Sequence, residues 1–139
     1  MRGHRLAVEA SAFPSGAAQA AVVGIAVTDA LEIVFDSLES TRKVQNLRKN
    51  PRVAFVVGGW TPGDERTVQY EGVADEPEGA ERELLKEVYF RAFPDGRDRQ
   101  SWPGLVYIRA RPRWIRYSDY NKDPPEIIEF DMKWLDAAE

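Results

Sequence analysis

Apolar positions in the first third of the chain follow the short-period rhythm of β-strands. Leu6 to Phe13 predicts a strand, closed by the turn cluster Pro14-Ser15-Gly16. Ala17 to Val27 is almost wholly apolar, the pattern of a strand covered on both faces. After the link Thr28-Asp29-Ala30, the segment Leu31 to Asp36 alternates, with Leu31, Ile33 and Phe35 expected on one face. Connections this short imply antiparallel pairing.

From Ser37 to Asn50 the rhythm becomes helical. Ser40 or Thr41 can cap, Val44 and Leu47 form a narrow apolar stripe, and Asn50-Pro51 ends the helix. Arg52 to Val57 is a β-branched run that stops at Gly58-Gly59, and Trp60 to Glu65 reads as a loop. In the strand Arg66 to Ala74, Val68 and Tyr70 face differently from Thr67, Gln69 and Glu71. Pro77 opens a second helix, with Leu84, Leu85, Val88, Tyr89 and Ala92 on one face. A charged loop, Phe93 to Pro103, leads to a long strand, Leu105 to Tyr117, in which Pro112 marks an edge or a bulge. Beyond Pro124-Pro125 lies a short apolar stretch at Ile127-Ile128. Five or six strands with one short and one longer helix predict a mostly β (α+β) domain, an antiparallel barrel closed fully or in part, over residues 1–139.

Composition narrows the chemistry. The 139 residues include no cysteine and a single histidine, His4, so disulfides, thiol nucleophiles, Cys- or multi-His metal sites and a Ser-His-Asp triad are not expected. The sequence carries no Walker A string and no Gly-x-Gly-x-x-Gly motif. Its longest apolar or Gly run, Ala20 to Val27, falls far short of the ~20 residues that span a bilayer. A cytoplasmic protein without membrane association is expected. Nineteen Lys+Arg against 23 Asp+Glu give a net charge of −4, which speaks against bulk nucleic-acid binding.

Against that acidic background, the stretch between Glu39 and Asp64 holds five cations and no acid: Arg42, Lys43, Arg48, Lys49 and Arg52. Arg42 and Lys43 fall in the first turn of the expected helix, beside Ser37, Ser40 and Thr41. Free backbone N–H groups, hydroxyls and two cations there could receive a phosphate monoester. A solvated basic helix face is the plainer alternative.

The longer context resembles the pyridoxamine 5'-phosphate oxidase-like family of flavin-binding split barrels. Phe35 to Lys43, Asn46-Leu47 and Asn50-Pro51-Arg52-Val53 match its strand, Ser-Arg-Lys helix and Asn-Pro-Arg-Val strand. Trp60 and Glu65-Arg66-Thr67-Val68 match its next loop and strand. The resemblance implies a split β-barrel that binds FMN and acts as an oxidoreductase, usually as a homodimer with the cofactor at the interface and a small-molecule substrate. It implies that Arg42 and Lys43 hold the FMN phosphate, with Ser37 and Thr41 beside it. Thr67 stands at a flavin-contacting Gln position, and Gln69, on the same strand face, is available for that contact. Asp36 replaces an aromatic residue, and Ala21 and Ala26 stand where the biosynthetic oxidase brings an Arg and a Lys. A deazaflavin- or haem-binding module on the same fold is the alternative.

Two further features carry expectations. Arg109, Arg111 and Arg113 alternate onto one strand face, either as a basic wall or as partners for the acids between Glu71 and Glu87. Trp102, Trp114, Trp134 and Tyr107 are candidates for ring stacking or for core and dimer contacts.

Overall fold

The turn at Pro14-Ser15-Gly16 folds β1 (Leu6–Ala12) back on β2 (Ala18–Gly24), pairing Leu6 with Gly24 and Ala12 with Ala18. Gly16 has φ of 93°, a left-handed conformation open to glycine without steric cost. The computed structural model describes Met1 and residues 3–132. Further along are β3 (Ala26–Val27), β4 (Ile33–Leu38), α1 (Arg42–Lys49), β5 (Arg52–Gly58) and β6 (Arg66–Asp75). Then come α2 (Gly79–Ala92), a 3-10 helix (Pro94–Ser101), β7 (Leu105–Asp119) and β8 (Glu126–Asp131).

All strand pairs are antiparallel, in the order β2-β1-β5-β6-β7-β4-β3, with β8 added to β7. The first and last members of this order, β2 and β3, are separated in sequence by Ile25 alone. Ile25 is buried and its N–H donates to Arg5 O at 2.8 Å. The expected single strand Ala17 to Val27 is therefore two strands, each pairing with a different neighbour, and the sheet curls into a half-barrel.

Strand β7 is long enough to serve three neighbours. One flank pairs with β6; the other pairs with β4 over Leu105–Ala110 and with β8 over Trp114–Asp119. Register shifts between Glu71 and Gly72, which face Trp114 and Pro112, and leaves Arg113 as the extra residue of a bulge. Glycine is required at position 72, where a Cβ would collide with the Arg111 carbonyl.

Inward-facing side chains fill the barrel. Phe35, Phe55 and Tyr70 pack edge to face, with ring centroids 6.0 and 5.7 Å apart, among Ile33, Val57, Ile108 and Ile115. Helix α1 adds Leu47 to this core. A second cluster joins Leu85, Tyr89 and Phe90 of α2 to Val34 and Tyr107 on the outside of the barrel. Tyr70 donates its hydroxyl to Leu31 O at 2.8 Å and Ala110 O at 3.1 Å, securing Leu31 at a left-handed φ of 61°.

Several expectations are corrected. Among the described residues there are eight strands, because β2 and β3 separate and Ile127-Ile128 belongs to β8. The segment after Phe93 contains a 3-10 helix. Leu31 lies outside β4, and Leu84 is exposed on α2. Most informative is β2, which is covered on one face only: Val22 is 67% exposed. Val22 pairs with Val8, and Val8 with the exposed Val56, so an apolar row runs across the outer face. No helix among the described residues is long and apolar enough to cross a membrane.

Candidate phosphate corner and its surroundings

Strand β4 alternates between the two clusters. Ile33 and Phe35 enter the barrel, Val34 faces α2, and Ser37, in phase with Ile33 and Phe35, is buried at the strand's end. A turn follows, with Thr41 N donating to Leu38 O at 3.1 Å. Thr41 is the N-cap residue of α1, but its hydroxyl donates to Leu38 O at 2.9 Å and lies 3.2 Å from Ser37 Oγ. It makes no capping bond, and the first turn of α1 holds no acid. The helix thus presents its N-terminal amides without a side-chain acceptor, beside two hydroxyls. Arg42 is exposed and Lys43 half-buried; among the described residues neither side chain makes a hydrogen bond or an ion pair. Ser37, Thr41, Arg42 and Lys43 thus lie around one turn, where uncapped amides and two cations suit an anion.

Asp36 points away from this corner. Its Oδ2 lies 3.1 Å from Arg99 Nε, and its Oδ1 accepts from the Tyr89 hydroxyl at 3.0 Å. Burial and the neighbouring Asp36 push the Tyr89 hydroxyl well above the usual tyrosine range, so Tyr89 remains a donor. The acid that replaces an aromatic residue is neutralised by groups far along the chain.

Thr67 and Gln69 share the outward face of β6, opposite in phase to buried Val68 and Tyr70. Their partners on β7 are Ser118 and Arg116, whereas Ser37 pairs with Val106. The two groups thus stand ten to twelve β7 residues apart, a strand contour of roughly 33–40 Å.

The arginine row does not form a single wall. Arg109 is buried and bidentate to Asp75, with Glu81 on its Nη1 and Glu32 at 3.9 Å. Arg111 approaches Glu32 at 3.6 Å and Glu81 at 3.7 Å. These two follow the acid-pairing expectation. Arg113, the bulge residue, leaves the alternation and is removed from the shared face. Tyr107 belongs to the α2 cluster, Trp102 is exposed, Trp114 is half-buried beside Ala10, Ala54 and Val56, and Trp134 lies outside the described residues.

One residue near the corner was not singled out from the sequence. Glu9 is fully buried on the inward face of β1, between Ala7 and Ser11, and neither carboxyl oxygen has a hydrogen-bond partner. Burial pushes its carboxyl up to about 7, against the smaller opposing effects of Ser11 and Lys43. The available signal was its phase: an acid between small residues that share the strand's inward face.

A family model described as pyridoxamine 5'-phosphate oxidase matches residues 1–119. The chain belongs to that family. A comparison with curated proteins found no match. Among solved structures, a heme binding protein from Mycobacterium smegmatis superimposes with a TM-score of 0.79 at 16% identity, covering 94% of this chain and 54% of its own. This chain thus spans about half the length of that relative. A pyridoxamine 5'-phosphate oxidase-related, FMN binding protein from Nostoc punctiforme gives 0.69 at 12% identity, covering 91% and 81%. HutZ, the heme storage protein from Vibrio cholerae, gives 0.67 at 15% identity, covering 78% and 82%. At these identities the likeness is one of fold.

Ala21 and Ala26, the positions at which the resemblance to the biosynthetic oxidase leads one to expect cations, lie on β2 and β3. Ala21 pairs with Glu9, and Ala26 is buried against the α2 cluster. Neither brings a charge.

Proposed function

We propose that this chain is an FMN-binding flavoprotein of the pyridoxamine 5'-phosphate oxidase family, acting as an oxidoreductase on a small molecule. The observation that carries the reading is the corner itself. Ser37 and Thr41 hydroxyls 3.2 Å apart, the uncapped start of α1, and the free side chains of Arg42 and Lys43 form a donor set that fits a phosphate dianion, with Asp36 drawn off by Arg99. Bound flavin would supply hydride acceptance and donation, chemistry that asks the protein for position and electrostatics rather than for a nucleophile.

Thr67 and Gln69, ten to twelve β7 residues along from Ser37, would meet the flavin from a second copy of the chain. The outward row of exposed Val22, half-buried Val8 and exposed Val56 supports this arrangement: Val56 is in register with Gln69, so a partner covering the row reaches that residue.

Haem is the second reading, favoured by the fold-level neighbours that bind or store it. The visible spectrum of the purified protein, alone and after titration with FMN, deazaflavin or haemin, separates the readings. Flavin absorption with saturable FMN binding is expected. A Soret band with no uptake of FMN would transfer the assignment to haem.

A further inference from the structure

A carboxylate removed from water normally needs a partner. Glu9 is fully buried, and neither of its oxygens has one in hydrogen-bonding geometry. Its register neighbours, Ala21 on β2 and Phe55 on β5, are apolar. Ser11, two residues along the same inward face, acts on the carboxyl more strongly than Lys43 of α1 does. Lys43 makes no ion pair among the described residues, so no salt bridge offsets the burial of Glu9.

More acceptors lie beside it. Ser11 pairs across the hairpin with Gln19, whose Oε1 is buried without a donor. From α1, the fully buried Asn46 donates its Nδ2 to Ser11 Oγ at 3.2 Å, while its Oδ1 is buried without a donor. Strands β1 and β2 and helix α1 thus contribute two carboxylate oxygens, two amide oxygens and a hydroxyl to one buried patch. Four of these oxygens lack a donor. The Ser11 hydroxyl carries one proton and can serve one of them at most.

Carboxylate, amide carbonyl and hydroxyl oxygens are the ligands of hard cations. A transition-metal centre does not fit, since the described residues hold no group of three or more His, Cys, Asp or Glu placed for a metal ion. Charge selects the class of ion. Glu9 supplies one negative charge, so a monovalent cation leaves the buried patch neutral. A divalent ion would leave a net positive charge in the interior, on the side of Lys43. We propose that Glu9, Ser11, Gln19 and Asn46 bind an alkali cation, sodium or potassium, between the β1–β2 hairpin and α1. The cation fastens to the sheet the helix whose first turn carries Arg42 and Lys43. This site goes beyond the FMN reading and does not depend on it.

Thermal melts of the full chain at about pH 8 compare sodium, potassium and choline chlorides at equal ionic strength. Choline reproduces the screening but is too bulky for a patch enclosed by side chains. At least one alkali ion should raise the melting temperature over choline by about 3–5 °C, with an effect that saturates as its concentration rises. Glu9→Gln keeps the shape of the side chain and should lose this increment. Should that variant fail to fold, the parent decides the matter. Crystals grown in the stabilising salt should show an ion at the Glu9, Gln19 and Asn46 oxygens. Sodium is recognised by contacts shorter than a water's hydrogen bonds, and potassium by its anomalous scattering. Equal melting temperatures in the three salts overturn the inference, as do an undiminished increment in Glu9→Gln and an ordered water alone at those oxygens. None of these measurements reads FMN binding, so the FMN reading stands or falls separately.

Discussion

Asp36 and Arg99 are 63 residues apart and meet at 3.1 Å between Oδ2 and Nε, on the face of β4 opposite Ser37. The pair keeps an acid next in sequence to Ser37 from opposing an anion at the proposed phosphate corner. Both side chains are largely buried. Arg99→Ala would leave the Asp36 carboxylate with Tyr89 alone and should cost about 1–3 kcal/mol of stability. A chemical-denaturation midpoint that does not move would show that the pair is incidental.

Arg42→Ala with Lys43→Ala should weaken FMN binding at least tenfold, since each charge-assisted phosphate contact contributes roughly 1.5–3 kcal/mol and about 1.4 kcal/mol is tenfold. Stability should change by no more than about 1 kcal/mol, because neither side chain makes a hydrogen bond or an ion pair among the described residues. Fluorescence titration alongside a thermal melt measures both effects.

Two buried tyrosines should respond in opposite ways to loss of the hydroxyl. Tyr70→Phe removes the donor shared by Leu31 O and Ala110 O and should cost about 1–2 kcal/mol. Tyr107 has a buried hydroxyl without a partner, so Tyr107→Phe should be neutral or stabilising. Equal losses in the two variants would contradict this assignment of the hydroxyls.

Val22→Asp places a charge where a lone chain is already 67% exposed. A monomer would tolerate it. If the Val22, Val8 and Val56 row is covered by a second copy, the substitution should halve the mass in solution, as analytical ultracentrifugation would register. An unchanged dimer would move the interface elsewhere.

Stability should fall as pH rises from about 4.5 to about 7. The folded Glu9 carboxyl sits at about 7 against an ordinary value of 4.5, so over this interval the native state retains a proton that the unfolded chain gives up. The contribution is at most about 3.5 kcal/mol, from roughly 1.4 kcal/mol per pKa unit, and is fully lost above the folded value. Glu9→Gln should remove this slope. A parent whose urea midpoint stays flat between these pH values would argue that water reaches the carboxyl.

The legibility of each element follows from where its determinants lie. Strand β6 and the string Ser37 to Lys43 are contiguous, and their alternation and hydroxyl–cation composition are set by neighbouring residues. Pro112 likewise announces the bulge, but the loss of Arg113 from the arginine face depends on how Glu71 and Gly72 pair across the sheet. The break at Ile25 has no local cause: an apolar run divides because its two halves are wanted by different strands. Asp36 reads as a hazard to the phosphate until the fold supplies Arg99. Glu9 is inconspicuous among small residues until β2, β5 and α1 enclose it.

The continuity of β2 and β3 through Ile25 bears on how the molecule comes apart. An open sheet can fray from whichever terminal strand is less well held. Here a strand released from β4 pulls directly on the hairpin with β1, so neither margin can detach while the other keeps its hydrogen bonds. Amide exchange at Val23 and at Val34 should therefore proceed through a shared opening event rather than as independent local losses.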